Sequence, residues 1–183
     1  MDELPYEQPL PADHGWSARP GFKVVVANRG EARFDVPREW VVEPNDGSDL
    51  CLYDRPPPDD NCRLEFSLMY APPAIGADLA LRDLLDRSTS DHDSDVLSRS
   101  APATERREGL ELVWSETRYR DADTKALALA RTCLARKSGV HVVFTMSLWA
   151  DDAARFDPAW REVLRSLELA RPVDLSGRDP RRN

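Results

Sequence analysis

Glycine is scarce in this chain of 183 residues, with 8, and cysteine scarcer, with 3. No G-x-G-x-x-G, no G-x-x-x-x-G-K-[ST] and no G-x-S-x-G occurs, so the turns that cradle phosphates and the elbow that presents a nucleophilic serine are both missing. Lysine stands only at Lys23, Lys125 and Lys137, and acids outnumber bases by 33 to 25. A net charge of -8 opposes general attraction to nucleic acid or to an anionic membrane surface. No apolar run approaches the length needed to cross a bilayer. The opening "MDELPYEQPLPADHG" has neither the basic nor the apolar region of a secretory signal, which leads us to expect a cytoplasmic protein. Cys51, Cys62 and Cys133 are odd in number and cannot all pair within the chain. Reduced, buried thiols are the expectation in such a compartment.

What is present divides the chain into three. Residues 1–20 carry Pro5, Pro9, Pro11 and Pro20 among acids and small residues, and are expected to form an extended proline-rich arm on which Leu4, Tyr6, Leu10 or Trp16 could dock. Residues 21–170 hold the periodic patterns of a single domain. Residues 171–183, "RPVDLSGRDPRRN", read as a polar tail.

Within the domain most runs alternate. "FKVVVANRGEARFDVP" places two strand-like segments around Asn28, Arg29 and Gly30, a hairpin with glycine where positive φ is needed. "EWVVEP" adds an extended segment. "LCLYDRPPPDDNCRLEF" predicts a hairpin centred near Pro57 and Pro58, in a register that sets Cys51 opposite Cys62 as neighbouring thiols. Leu64, Phe66, Leu68 and Tyr70 alternate with polar residues as one buried strand face requires. "IGADLALRDLLDRSTS" changes period, with Leu81, Leu84 and Leu85 on the stripe of a helix ending near Arg87. A polar connection is expected to follow, before Pro102 restarts extended structure.

The runs starting at Leu110 and Val140 alternate plainly, whereas the one between them, "KALALARTCLARKSG", suits helix and strand about equally by pattern. Its short loops to two strands favour a third strand of an antiparallel meander. In "FTMSLWADDAARFDPAWREVLRSLEL", Val140, Val142, Phe144, Met146 and Leu148 share one strand face. His141, Val143, Thr145, Ser147 and Trp149 share the other, and Trp149 and His141 indicate that this second face is partly covered. Asp157-Pro158 reads as N-cap and first residue of a helix whose stripe is Phe156, Trp160, Val163, Leu164 and Leu167.

An early "FDVPREW", antiparallel strands with one helix midway, and a closing strand, "FDP" turn and "WREVLRSLEL" helix together resemble the PsbP/Mog fold group, whose relatives include DcrB-type proteins and Eag-type secretion chaperones. The likeness spans roughly residues 22 to 170, and its motifs carry packing rather than chemistry. It implies an α+β class, an antiparallel β-sheet meander packed by helices in an α/β/α sandwich. It also implies function through binding other proteins, and it brings no shared catalytic set.

Residue chemistry points the same way. His14, His92 and His141 lie on separate segments without metal-ligand spacing. Asp91-His92-Asp93-Ser94-Asp95 imitates the start of a calcium loop, but Val96 and Pro102 stand where glycine and glutamate are needed. Asp59-Asp60 and Asp151-Asp152 sit in expected turns, where aspartate bonds the local backbone. Of Trp16, Trp40, Trp114, Trp149 and Trp160, one or two exposed indoles would mark an interface. No residue is put forward as catalytic, cofactor-binding or metal-ligating, and no cofactor is expected. The expectation is a non-catalytic protein-binding module, an adaptor or a secretion-associated chaperone, whose partner is another protein and not nucleic acid or a membrane interior. A carrier of a small apolar ligand is the alternative, with an enzyme of unrecognised type behind it.

Overall fold

The computed structural model describes residues 14–45, 48–71, 80–90 and 95–171. The chain enters through β1 (Phe22–Ala27), β2 (Ala32–Pro37), β3 (Val41–Asn45), β4 (Ser48–Tyr53) and β5 (Cys62–Tyr70). Helix α1 (Leu81–Ser90) follows, then β6 (Val96–Arg99), β7 (Ala103–Arg107), β8 (Leu110–Arg120), β9 (Leu127–Lys137) and β10 (Val140–Trp149). Helix α2 (Ala153–Ser166) and the two-residue β11 (Glu168–Leu169) close the described chain.

These strands form two sheets rather than one. The larger runs β3-β4-β5-β10-β9-β8-β6, with β7 also paired to β8, and every pairing is antiparallel. The smaller runs β1-β2-β11. Strand β10 therefore joins two meanders, pairing Phe144 with Phe66 of β5 on one side and with Cys133 of β9 on the other. The ambiguous run at 127–137 is the strand expected, because β8 and β10 saturate its backbone groups on both sides.

Alternation along β10 assigns the layers. Its even-numbered residues face α2 and the small sheet, where Phe34, Phe66 and Phe144 meet pairwise at 5.0 to 5.2 Å between ring centres. All three rings are fully buried, and the motif residues Trp40 and Phe156 stack edge to face beside them at 6.3 Å. Leu81 and Leu85 of α1 cover the opposite face over Val113 and Leu134, with Val143 at the margin. This is an α/β/α arrangement in which one outer layer is α2 together with a small sheet.

Several local expectations are corrected. Cys51 lies opposite Glu65, not Cys62, since Leu52 pairs with Leu64. The loop between β4 and β5 is organised by Asp54, whose Oδ1 accepts the Asn61 and Cys62 backbone N–H groups at 2.7 and 2.9 Å. That arrangement shifts the register by an odd number of residues, so the two cysteines face opposite sides of the sheet. All three cysteines are free and buried, and burial pushes the Cys62 and Cys133 thiols far up.

Asp157-Pro158 does not start α2. The helix begins five residues earlier, at Ala153 behind a 3-10 turn at Ala150–Asp152, and Asp157 pairs instead with Arg131 at 2.6 Å. Pro158 has no N–H to offer the Ala154 carbonyl, which is tolerable because both residues are exposed to water. The polar connection after α1 contains β6, an edge strand whose side chains are mostly exposed and so carry no apolar alternation. Helix α1 reaches Ser90, three residues beyond the expected end, with the Ser88 and Thr89 hydroxyls donating to the Leu85 carbonyl. Residues 75–79, which open the run read as this helix, lie outside the described residues.

Candidate functional site

Strand β2 carries opposite chemistries on its two faces. Ala32, Phe34 and Val36 enter the core, while Arg33 and Asp35 point the other way and are nevertheless 5% and 1% exposed. They are covered by residues 14–19 and by the end of α2. Arg33 Nη1 donates to the Ser166 carbonyl at 2.9 Å, and Nη2 donates to the Ser17 carbonyl at 3.3 Å. The same Nη2 lies 2.7 Å from Asp35 Oδ1. That approach is not aligned as a hydrogen bond, so the contact is ionic. The Ser166 hydroxyl accepts the Asp35 backbone N–H and donates to the Glu162 carbonyl, both at 2.7 Å. Arg33 Nε and Asp35 Oδ2 are left without a hydrogen-bond partner.

Charge is not evenly supported here. Burial pushes the Asp35 carboxyl above the usual carboxylate range, with Arg33 opposing. Glu162 moves the other way, because a two-armed hydrogen bond from Arg165 stabilises its ionised form.

Beside this pair opens a cleft of about 500 Å³. One wall is the N-terminal strap: the Trp16 indole N–H donates to Glu168 Oε2 at 3.3 Å, and the Arg171 guanidinium lies 5.8 Å from the indole ring. Arg19 adds a 3.6 Å ion pair to Glu162. The facing wall is the β7–β8 turn, where Arg107 donates to the Leu164 and Leu167 carbonyls at the unsatisfied end of α2. Lys137, the last residue of β9, lines the cleft and has no side-chain partner among the described residues.

A smaller hollow of about 300 Å³ lies under Trp149, at the end of the large sheet away from α1, and includes Tyr119, Ser147 and Asp121. Asp121 is committed to its own turn, accepting Thr124 N–H and Oγ1–H, both at 2.8 Å, and these bonds lower its carboxyl. Burial raises the Tyr119 phenol. Neither hollow aligns a nucleophile, a base and an orienting group in the geometry that covalent catalysis requires.

Side chains weighed in the sequence fall in scattered places. His14 Nδ1 accepts the Trp16 backbone N–H at 2.8 Å, His141 lies on β10, and His92 with the rest of residues 91–94 is outside the described residues. Among the described residues no group of three or more His, Cys, Asp or Glu side chains converges as a metal site. Trp16, Trp40 and Trp160 are buried and Trp114 and Trp149 partly so, which leaves no fully exposed indole. Sequence reasoning passed over Arg33, Asp35 and Lys137. The signal was present in "ARFDVP", where Arg33 and Asp35 alternate with core residues on a strand read only as half of a hairpin.

Comparison with known proteins agrees with this architecture. The cyanobacterial PsbP of Synechocystis superposes with a TM-score of 0.62 at 14% identity, over 89% of this chain and 100% of that one. The Ran-binding protein Mog1p of Saccharomyces cerevisiae superposes with a TM-score of 0.57 at 12% identity, over 81% and 95%. The fold is therefore PsbP/Mog-like. Residues 23–173 match the Alr1449 family. The Nostoc protein described as uncharacterized protein alr1449 is 36% identical over 172 residues, 93% of this chain and 87% of that protein. The chain belongs to the Alr1449 family. No helix among the described residues is long and apolar enough to cross a membrane.

Proposed function

We propose that this chain is a non-catalytic protein-binding module, an adaptor or secretion-associated chaperone working in the cytoplasm. The observation that carries the reading is how the larger cleft uses its charges. Arg33 and Arg107 hold segments of the chain to one another, Arg165 is tied to Glu162 of its own helix, and none of them is aimed with a nucleophile or base at a common point. What remains is a wide, solvated, charged recess, the kind of surface that recognises a chain segment. Free, buried cysteines suit a reducing compartment. Net charge of -8 favours a protein partner over nucleic acid. Mog1p, of the same fold, is a Ran-binding protein, which shows that such a scaffold can carry a protein partner.

A carrier of small apolar ligands is the second reading. Against it, the space between the large sheet and the small one is filled by Phe34, Phe66 and Phe144, and both hollows are lined by charges. Tagging the chain in its own cells and weighing the intact purified species by native mass spectrometry tests both. A second polypeptide at fixed stoichiometry, rebound when the two purified proteins are mixed, supports the module. A bound apolar compound, or a chain that never carries a partner protein, overturns it.

A further inference from the structure

Helix α1 covers one face of the large sheet over Val113 and Leu134. At the far end of the same face the register sets Tyr119 of β8, Ala128 of β9 and Trp149 of β10 side by side. Two aromatic residues thus stand on strands about 10 Å apart with a small residue between them, and that step in side-chain size makes the hollow of about 300 Å³. A planar group at the usual contact of about 3.5 to 4 Å from each wall fits such a space. Two carboxylates line the hollow, Asp60 and Asp121. Asp121 takes all three bonds of its turn, from Asp123 N–H and from Thr124 N–H and Oγ1–H, on Oδ1, so the turn fixes the carboxylate and leaves Oδ2 free. Neither acid has an ion-pair partner among the described residues, and Lys125 adds the least of the attractions on Asp121. Arg63 also lines the hollow, but it is paired with Glu65 at 2.9 Å and stacks on neither ring. With Glu65 set against Arg63, two carboxylates remain without a cation.

From these observations we infer that the hollow between Tyr119 and Trp149 takes an arginine side chain of the partner protein, its guanidinium lying against the rings and donating to Asp121 Oδ2 and Asp60. A guanidinium fits better than an ammonium because it is planar, weakly hydrated and donates from a rigid fork. Ring faces attract such a cation, and the carboxylates add to that attraction. The hollow is at the small end of ligand sites, the size of a side-chain head rather than of a whole cofactor. The inference rests on the protein-binding reading and names the side chain by which the partner is held.

Fluorine NMR of the full-length protein labelled with 5-fluorotryptophan tests it, with the end-capped peptide Gly-Ser-Arg-Ser-Gly as probe. Replacing Trp149 by Phe assigns its resonance among the five. Saturable movement of the Trp149 resonance at about millimolar peptide is expected, with the lysine counterpart Gly-Ser-Lys-Ser-Gly about fivefold weaker or more. Asp121→Asn keeps the acceptor oxygen of the turn while removing the charge, and should weaken binding about fivefold or more. Asp123→Asn makes the same charge change two residues on, outside the hollow, and should shift affinity less than about twofold. Circular dichroism checks that both variants fold. A Trp149 resonance that stays still up to about 20 mM peptide overturns the assignment. So does equal affinity for the lysine peptide or equal weakening by the two variants, either of which would mean general charge. Binding of N-acetyl-arginine amide without binding of the peptide marks a small-cation site, and overturns it as well. If the peptide fails while a partner protein is found by native mass spectrometry, the hollow assignment alone falls. If the peptide binds and no partner protein exists, the module reading falls instead.

Discussion

Among the described residues two arginines are buried, and they are buried for different reasons. Arg131 sits on β9 in the core layer and reaches two acids, Glu116 at 3.0 Å and Asp157 at 2.6 Å, tying the sheet to α2. Both partners keep contact with water, their side chains being 28% and 38% exposed. Arg33 has one ion-pair partner, Asp35, whose side chain is 1% exposed, and its two Nη groups also donate to two carbonyls. Arg131 is a strut with solvated ends. Arg33 is a charge enclosed with its one ion-pair partner, with the buried Glu162 also in its field, beside an open cleft. A buried ion pair stabilises little by itself, but removing one partner from an enclosed pair is costly.

That difference predicts unequal responses to the same substitution. Arg33→Met strands an enclosed carboxylate and should cost about 3 to 5 kcal/mol in urea denaturation. Arg131→Met leaves Glu116 and Asp157 free to hydrate and should cost about 1 to 2 kcal/mol. Equal losses would erase the distinction. A double variant sharpens it: Arg33→Met with Asp35→Leu removes both charges together, and should recover to within about 1 kcal/mol of the parent. If the double variant is as unstable as Arg33→Met alone, the cost lies in the lost carbonyl contacts to Ser17 and Ser166 and not in the stranded charge.

The same pair shows where sequence reading stops. Phe66 and Phe144 were legible because each sits in an alternating run that fixes its face, and Phe156 with Trp160 and Val163 kept the helical stripe even though the start of α2 was misplaced. Asp157-Pro158 looked like a cap because local preference is all a sequence displays. Arg131, which claims Asp157, lies 26 positions away and enters only with tertiary structure. The Cys51–Cys62 register failed likewise, on a loop whose length is set by the Asp54 carboxylate. The β1-β2-β11 sheet was invisible as a separate unit, since β11 is two residues long. Arg33 and Asp35 were missed because a strand beside turn signals reads as half solvated, and nothing in "ARFDVP" reveals that residues 14–19 return to cover it. Lys137 stood out only by rarity, and rarity names no partner.

The smallest effect concerns acid titration and separates two carboxyls of the one cluster. Glu162 ionises more readily in the folded state, chiefly through its hydrogen bonds from Arg165. Its contribution is therefore present above the ordinary glutamate range and is lost as pH falls through the lowered folded value. Asp35 ionises less readily folded than unfolded, because burial outweighs the attraction of Arg33. Its ionisation opposes folding above the ordinary aspartate range, and the opposition fades as pH falls. In the parent the two slopes partly cancel. Glu162→Gln should make stability fall less steeply, or rise, as pH drops from about 6 to about 3, whereas Asp35→Asn should make it fall more steeply. Urea midpoints measured at intervals across that range read both slopes, and parallel curves for the two variants would show that the cleft does not set the two carboxyls against each other.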